Sequence, residues 1–412
     1  VTGDGTIVDV VDPIWEKVNA TVNVNEKTAT ITVKGTDKYF ASSNLTADKI
    51  KVLINGNEVT SNINIRVGTA TAVNSEIDNK QIGNQYVINI SGDGLDLDKN
   101  QVKIRIEAGT ITDKSGNKNK DTELTLVTTL AETNTETEPT SGLLGSKNSD
   151  NEKVNKIERQ NIDNITFVDN IPASVYDRAS KEIKDDTAWD VSVNQDKSIL
   201  AWYTTNDNGT LKVYIGSDDE IFGNIDSSYL FANIGYSDKC TSTETISNIG
   251  LLNVESVTNM TAMFKNTGYN SMTEFILGDK FDTRKVTNMS HMFEGIGHNS
   301  MTSFELTGKF DTSKVTDMSD MFSGTGYTKM ASFKLGSKFY TENVTEMSKM
   351  FYQTGKTKLT TLGLGDNFNT GKVTNMSEMF KEMEALTELD LKDKFDTSKV
   401  TNMSGMFWGT GS

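Results

Sequence analysis

The sequence predicts a multidomain chain: an all-β sandwich followed by an α/β solenoid of short parallel strands and short helices, with a small β cap at the solenoid's N-terminal end. Three observations lead there. Residues 1–131 alternate short apolar runs with turn residues. A Val-Thr-x-Met unit begins at Val257, Val286, Val315, Val344, Val373 and Val400, with steps of 29, 29, 29, 29 and 27 residues. Between those units a second apolar pattern recurs at strand spacing. The expected divisions are a sandwich over 1–131, a flexible linker over 132–152, a β-rich cap over 153–245 and repeats over 246–412.

In the first division, strands are expected at Ala29–Lys34, Lys49–Ile54, Ile63–Val67, Tyr86–Ser91, Gln101–Glu107 and Glu123–Val127, with a turn at Asn55-Gly56-Asn57. The stretch 132–152 is rich in Thr, Glu, Ser and Asn, too polar to bury a core. Beyond it, Ser198–Tyr203 and Leu211–Ile215 flank Asn206-Asp207-Asn208-Gly209, a hairpin signal. A small β element here would cover the open end of a stack of repeats.

Each repeat reads as strand, loop, helix, loop. Met272, Phe275 and Leu277 have the apolar-x-x-apolar-x-apolar spacing of a leucine-rich repeat; so do Met301, Phe304, Leu306 and their later counterparts. Val286, Met289, Met292 and Phe293 fall at i, i+3, i+6 and i+7, one face of a short helix. Asp311-Thr312 offers oxygens to cap such a helix. Glycines such as Gly295 and Gly297 then release the chain. The last copy stops at Gly411-Ser412 without a polar capping repeat, so the natural chain is expected to continue. The polar opening at Val1 lacks a secretory leader, which is expected to have been removed or to lie upstream.

The run Phe310-Asp311-Thr312-Ser313-Lys314-Val315-Thr316-Asp317-Met318-Ser319-Asp320-Met321-Phe322 resembles the repeat of BspA-like leucine-rich-repeat bacterial surface proteins, and the copies from Phe281, Phe368 and Phe395 match nearly as well. The resemblance covers 246–412 and extends more thinly to 185–231, through Trp189-Asp190-Val191-Ser192 and Ser227-Ser228-Tyr229-Leu230-Phe231. The Gly-Cys that often follows Met-Phe in that family is absent, and most repeats are several residues longer. The stretch from Glu107 to Asn117 resembles the penultimate-strand exit of bacterial immunoglobulin-like domains. Together these resemblances imply an immunoglobulin-like spacer carrying an adhesin-type module, extracellular or at the cell surface, anchored through segments outside this chain. The implied partner is a host or bacterial surface protein or glycan.

Composition narrows the alternatives. The net charge of −16 is concentrated in 132–256, where 22 acids face 10 bases, so no cationic stripe suits nucleic acid. No apolar run is long enough for direct membrane insertion. Cys240 is the single cysteine, expected to be an inert small side chain, and two histidines argue against histidine-based catalysis. Asp93, Asp96 and Asp98 crowd together but lack the spacing of a calcium loop, and read as solvated turn acids. His291 and His298 are seven apart, outside usual zinc spacing, and read as surface residues. The methionines read as core filler, and paired catalytic carboxylates cannot be singled out among 57 acids. No catalytic residue, metal or cofactor is therefore expected.

The remaining candidate surface is the strand face. Residues flanking each central apolar position point outward: Glu274 and Ile276, Ser303 and Glu305, Ser332 and Lys334, Thr361 and Gly363, Glu388 and Asp390. Tyr269 and Tyr327 form a second candidate patch. The expected function is a non-catalytic adhesion or protein/glycan interaction module; the alternative is a structural surface-layer or stalk component with no specific ligand.

Overall fold

In the computed structural model residues 10–24, 26–97, 101–131, 157–278, 281–306, 308–391 and 393–412 are described, so the expected linker and Asp98 lie outside the described residues. The chain divides into two units, Val1–Thr128 and Thr129–Ser412.

Every strand pairing among the first unit's described residues is antiparallel. Ile14–Asn23, Thr28–Thr36, Gln81–Ser91 and Asn64–Val67 form one sheet, with Thr71–Asn74 also on Gln81–Ser91; Thr122–Thr125, Val102–Ile106, Ile50–Ile54 and Asn57–Glu58 form another; Ile111–Asp113 pairs with Phe40–Ser43. The period-two alternation decides which face is buried: Ile31 and Val33 point inward from one sheet, Val102, Ile104 and Ile106 from the other. Asn119 fastens the turn-rich stretch after Ile106. Its side-chain oxygen accepts from Thr110 and Ile111 N–H, both at 2.8 Å, and its amide donates to the Lys120 carbonyl at 2.9 Å.

The second unit opens on a mixed sheet in the order Trp189–Asp190, Leu200–Thr205, Leu211–Gly216, Ile162–Val168, Ile246–Ser247. Leu200–Thr205 and Leu211–Gly216 make the expected hairpin, with Gly209 at φ +81° in the turn where only glycine is unstrained. Ile162–Val168 runs parallel to both its neighbours. One hydrophobic core runs without interruption from Leu130 through this sheet to Met406.

Within that core the apolar columns of the repeats turn inward, except in the last copy, where Met403 and Phe407 are each 48 % exposed. Phe264, Phe293, Phe322, Phe351 and Phe380 stack face to face, each pair of rings 5.6 Å apart. Phe231 extends the column by one at 5.3 Å, so Ser227–Phe231 is a repeat in structure although its motif is degenerate. A second column, Phe275, Phe304 and Phe333, meets the first edge-on, and Phe281, Phe310, Phe339 and Phe368 flank it on another side. Aromatic pairs prefer these offset and edge-to-face contacts.

The architecture nonetheless corrects the expected one. The combination of an immunoglobulin-like sandwich and an α/β leucine-rich-repeat solenoid does not form. Among the described residues there is no α-helix; the helical elements are single 3-10 turns at Ala47–Lys49, Arg159–Asn161 and Ile249–Leu251. The reason lies in where the Met-Phe segment sends its N–H groups. Those of Met289, His291, Phe293 and Gly295 donate to Asp317, Ser319, Met321 and Ser323 of the next repeat at 2.7–3.1 Å, while those of Met292, Glu294 and Ile296 close local turns to the third residue back. An α-helix needs consecutive bonds to the fourth residue back. His291, Asp320, Lys349 and Glu378 also adopt φ between +53° and +58°, which no right-handed helix accommodates. The expected Thr312 cap is likewise an inter-repeat bond, its hydroxyl donating to the Tyr340 carbonyl at 2.6 Å.

Nor do the strand positions build a continuous ladder. Ser303–Glu305 pairs in parallel with Ser332–Lys334, and Thr361–Gly363 with Glu388–Asp390, but the two pairs are not joined, and 272–278 is not a strand. Each strand is three residues long, and the chain turns away through Gly308, Gly336 or Gly365, all at positive φ, before more pairing can accumulate. What links every repeat is a row of single parallel bridges: Asp226, Asn259, Asn288, Asp317, Glu346, Asn375 and Asn402.

Candidate functional site

The strand-face residues sit where period two puts them. Ser303, Glu305, Ser332, Lys334, Thr361, Gly363, Glu388 and Asp390 are exposed, while Phe304, Phe333 and Leu362 between them are buried. Parallel register sets Ser303 beside Ser332 and Glu305 beside Lys334, whose ammonium lies 3.4 Å from the carboxylate. Glu274 and Ile276 are exposed as well, with Ile276 at 71 % an unusually open aliphatic side chain, but they lie outside any strand.

The second patch is larger than two tyrosines. Tyr236, Tyr269, His298 and Tyr327 form a ladder along the repeats, with successive centroids 4.5, 4.4 and 4.5 Å apart. Lys356 ends it, its ammonium 5.4 Å from the Tyr327 ring centre and 2.9 and 3.1 Å from Glu382 and Glu384. Those carboxylates hold it firmly protonated, Glu382 foremost. A polar row runs alongside. Asn270 donates to Asp238 at 2.9 Å, Asn299 donates to Asn270 at 2.6 Å, and His298 Nδ1 lies 2.9 Å from Asn299 Oδ1. That oxygen only accepts, so Nδ1 carries the proton. Burial between two rings lowers the His298 pKa and favours the neutral ring. His298 is thus a rung of the ladder, not the ordinary surface residue expected. The missed signal was the same 29-residue period, which relates Tyr269, His298, Tyr327 and Lys356.

His291 belongs to a different line of charges. Its Nδ1 lies 2.6 Å from Glu294, which also meets Lys265 at 3.2 Å. The Glu294 hydrogen bond raises the His291 pKa. Burial alone would raise Glu294, yet His291 and Lys265 prevail and lower it. Asp320, on the next repeat, is pushed up to about 6, chiefly by burial.

The other candidates fall away from chemistry. Cys240 is buried, and desolvation pushes its thiol up to about 12, far from the thiolate that a nucleophile needs. Asp93 is solvated, its nearest cation being Lys27 at 3.8 Å. Among the described residues no three His, Cys, Asp or Glu side chains converge as metal ligands, and no helix is long and apolar enough to cross a membrane.

Residue missed altogether by sequence reasoning is Arg159. It is fully buried, and its guanidinium donates to the carbonyls of Ala232, Tyr229 and Leu230 at 2.8, 2.8 and 2.7 Å. In later repeats the counterparts of Leu230 and Ala232, Met292 and Glu294, accept from the preceding repeat's Phe264 and Asn266 N–H. Arg159 supplies those donors at the head of the row, where no earlier repeat exists to do so.

Compared with known proteins, the chain is similar over residues 235–362 and 327–412 to the family described as Mycoplasma protein of unknown function, DUF285. No curated protein matches it. No solved structure matches it. This finding, with the absence of any α-helix among the described residues, overturns the resemblance to BspA-like leucine-rich-repeat proteins with an immunoglobulin-like domain. The recurring Asp-Thr-Ser-Lys-Val-Thr run reflects the buried columns and inter-repeat bonds of the repeat, with Val315 buried and the Thr312 hydroxyl donating to the Tyr340 carbonyl.

Proposed function

We propose that this chain is a non-catalytic interaction module acting at a cell surface, with a host or bacterial surface protein or glycan as its partner. The observation that carries the reading is the register-locked display of surface side chains. Inter-repeat bonds hold each repeat to the next, so side chains 29 or 33 positions apart stand side by side in two rows: Glu305 by Lys334 on the exposed strand face, and Tyr236 by Tyr269 and Tyr269 by His298 in the half-buried ladder. Such an extended, pre-organised surface suits binding because little conformational entropy is lost on contact.

The test is binding of the purified chain to an array of host-matrix proteins, bacterial-surface proteins and glycans. Specific retention on at least one class is the expected result; silence on all of them overturns it. A structural stalk is the second reading, favoured by the aromatic ladder, which spends its ring faces on internal stacking. It requires self-association without any ligand, read by light scattering.

A further inference from the structure

The aromatic ladder is closed at one end and open at the other. Tyr269 lies between Tyr236 and His298, His298 between Tyr269 and Tyr327, and Tyr327 between His298 and the Lys356 ammonium. Each of these three rings has two neighbours in the row. Tyr236 has one, Tyr269, and is 37 % exposed. Among the described residues no cation lies over its ring, not even that of the exposed Lys239 three residues further on.

What fills the closed end defines what suits the open one. An aromatic face attracts a cation through its quadrupole. At Tyr327 that cation is Lys356, with Glu382 and Glu384 beside it. Lys381 repeats the arrangement over Tyr352 and Trp408, paired with Glu378 at 3.2 Å. Tyr236 has the acid without the base. Asp238 is exposed, and one amide holds both residues: Asn270 donates to the Tyr236 carbonyl at 2.8 Å and to Asp238 Oδ1 at 2.9 Å. The head of the ladder also lies in the stretch 132–256, where 22 acids face 10 bases, so the surrounding charge favours a cation.

The form of the ladder selects which cation. Its rungs are flat groups 4.4–4.5 Å apart. A guanidinium is flat, stacks on aromatic faces and donates to a carboxylate, whereas an ammonium is a point charge. A quaternary ammonium has no N–H for Asp238 and is held by cages of several rings.

We propose that Tyr236 and Asp238 form a docking point for an arginine side chain of a protein partner, a reading that rests on the interaction function and chooses protein over glycan. The guanidinium would continue the stack on Tyr236 and donate to Asp238.

The experiment labels the full chain with meta-fluorotyrosine and follows it by fluorine NMR, the Tyr236 signal being the one absent from Tyr236→Phe. N-acetyl-arginine methylamide and its neutral counterpart N-acetyl-citrulline methylamide are titrated in turn. The expected result is a saturable shift of the Tyr236 signal with the arginine compound, a response less than one third as large with citrulline, and a Kd raised at least threefold in Asp238→Asn, which keeps the acceptor for Asn270. No saturable shift, a citrulline response above that fraction, or a smaller change in Asp238→Asn overturns the docking point. Retention of parent and Asp238→Asn alike on the protein and glycan array in that case leaves the interaction reading standing, so the two failures are told apart.

Discussion

Replacing Arg159 by leucine removes three charge-assisted donors from the head of the repeat row while keeping apolar bulk. The Ala232, Tyr229 and Leu230 carbonyls, now accepting at 2.7–2.8 Å, would be left buried beside a side chain that cannot reach them. An unsatisfied buried acceptor costs about 1–3 kcal/mol. The Tyr229 carbonyl keeps the Ala232 N–H at 3.2 Å, so two such losses, reduced by relaxation and entry of water, come to about 2–4 kcal/mol. Against a domain stability of about 5–15 kcal/mol this is a large fraction. Urea unfolding followed by tryptophan fluorescence reads it, since Trp189 and Trp202 are both buried in the sheet that Arg159 adjoins in sequence, and Trp15 reports the first unit. The transition of the second unit should shift by that amount while the transition of the first stays in place. Arg159→Lys keeps the charge but cannot span three carbonyls, and should recover less than half of the loss. A shift below about 1 kcal/mol in Arg159→Leu would refute the claim that these carbonyls need a donor.

Three further outcomes are expected. Asp320 has a folded pKa raised to about 6 from an ordinary value near 3.8, so the folded state holds its proton more tightly and stability falls as pH rises between those values. Asp320→Asn should therefore stabilise the second unit more at pH 7.5 than at pH 3.5, by about 1 kcal/mol after allowance for solvent screening; denaturant midpoints that move equally at both pH values count against the burial argument. Phe322→Ala, in the centre of the main column, should cost about 3–5 kcal/mol, whereas Phe407→Ala, 48 % exposed, should cost far less; similar losses at the two positions would contradict the packing. Cys240, with its thiol pushed up to about 12, should react with a disulfide reagent at pH 8 only after denaturant is added; fast labelling of the native chain would show that it is reachable.

The ladder and the charge line show how much a repeat sequence discloses. Tyr269, His298 and Tyr327 recur at one period, so their adjacency follows from arithmetic once neighbouring repeats pack together. The Lys265–Glu294–His291 cluster is less accessible, because it joins different columns of adjacent repeats and depends on how each segment is wound. The break in strand pairing between Ser332–Lys334 and Thr361–Gly363 is something periodicity cannot express, since every repeat carries nearly the same pattern.

From its sequence alone, this protein's period, its inward columns of methionine, phenylalanine and leucine, and the outward placement of Ser303, Glu305, Ser332 and Lys334 were determined. Apolar residues recurring at one interval must share one core, and alternate residues of a strand must face opposite ways. Only the tertiary structure decided between helix and turn. Apolar spacing constrains side chains, while Met289, His291 and Phe293 choose between partners for their N–H groups, and those partners lie a whole repeat away. The same holds for Arg159: nothing local marks it, because the carbonyls that need it lie some seventy residues further along the chain.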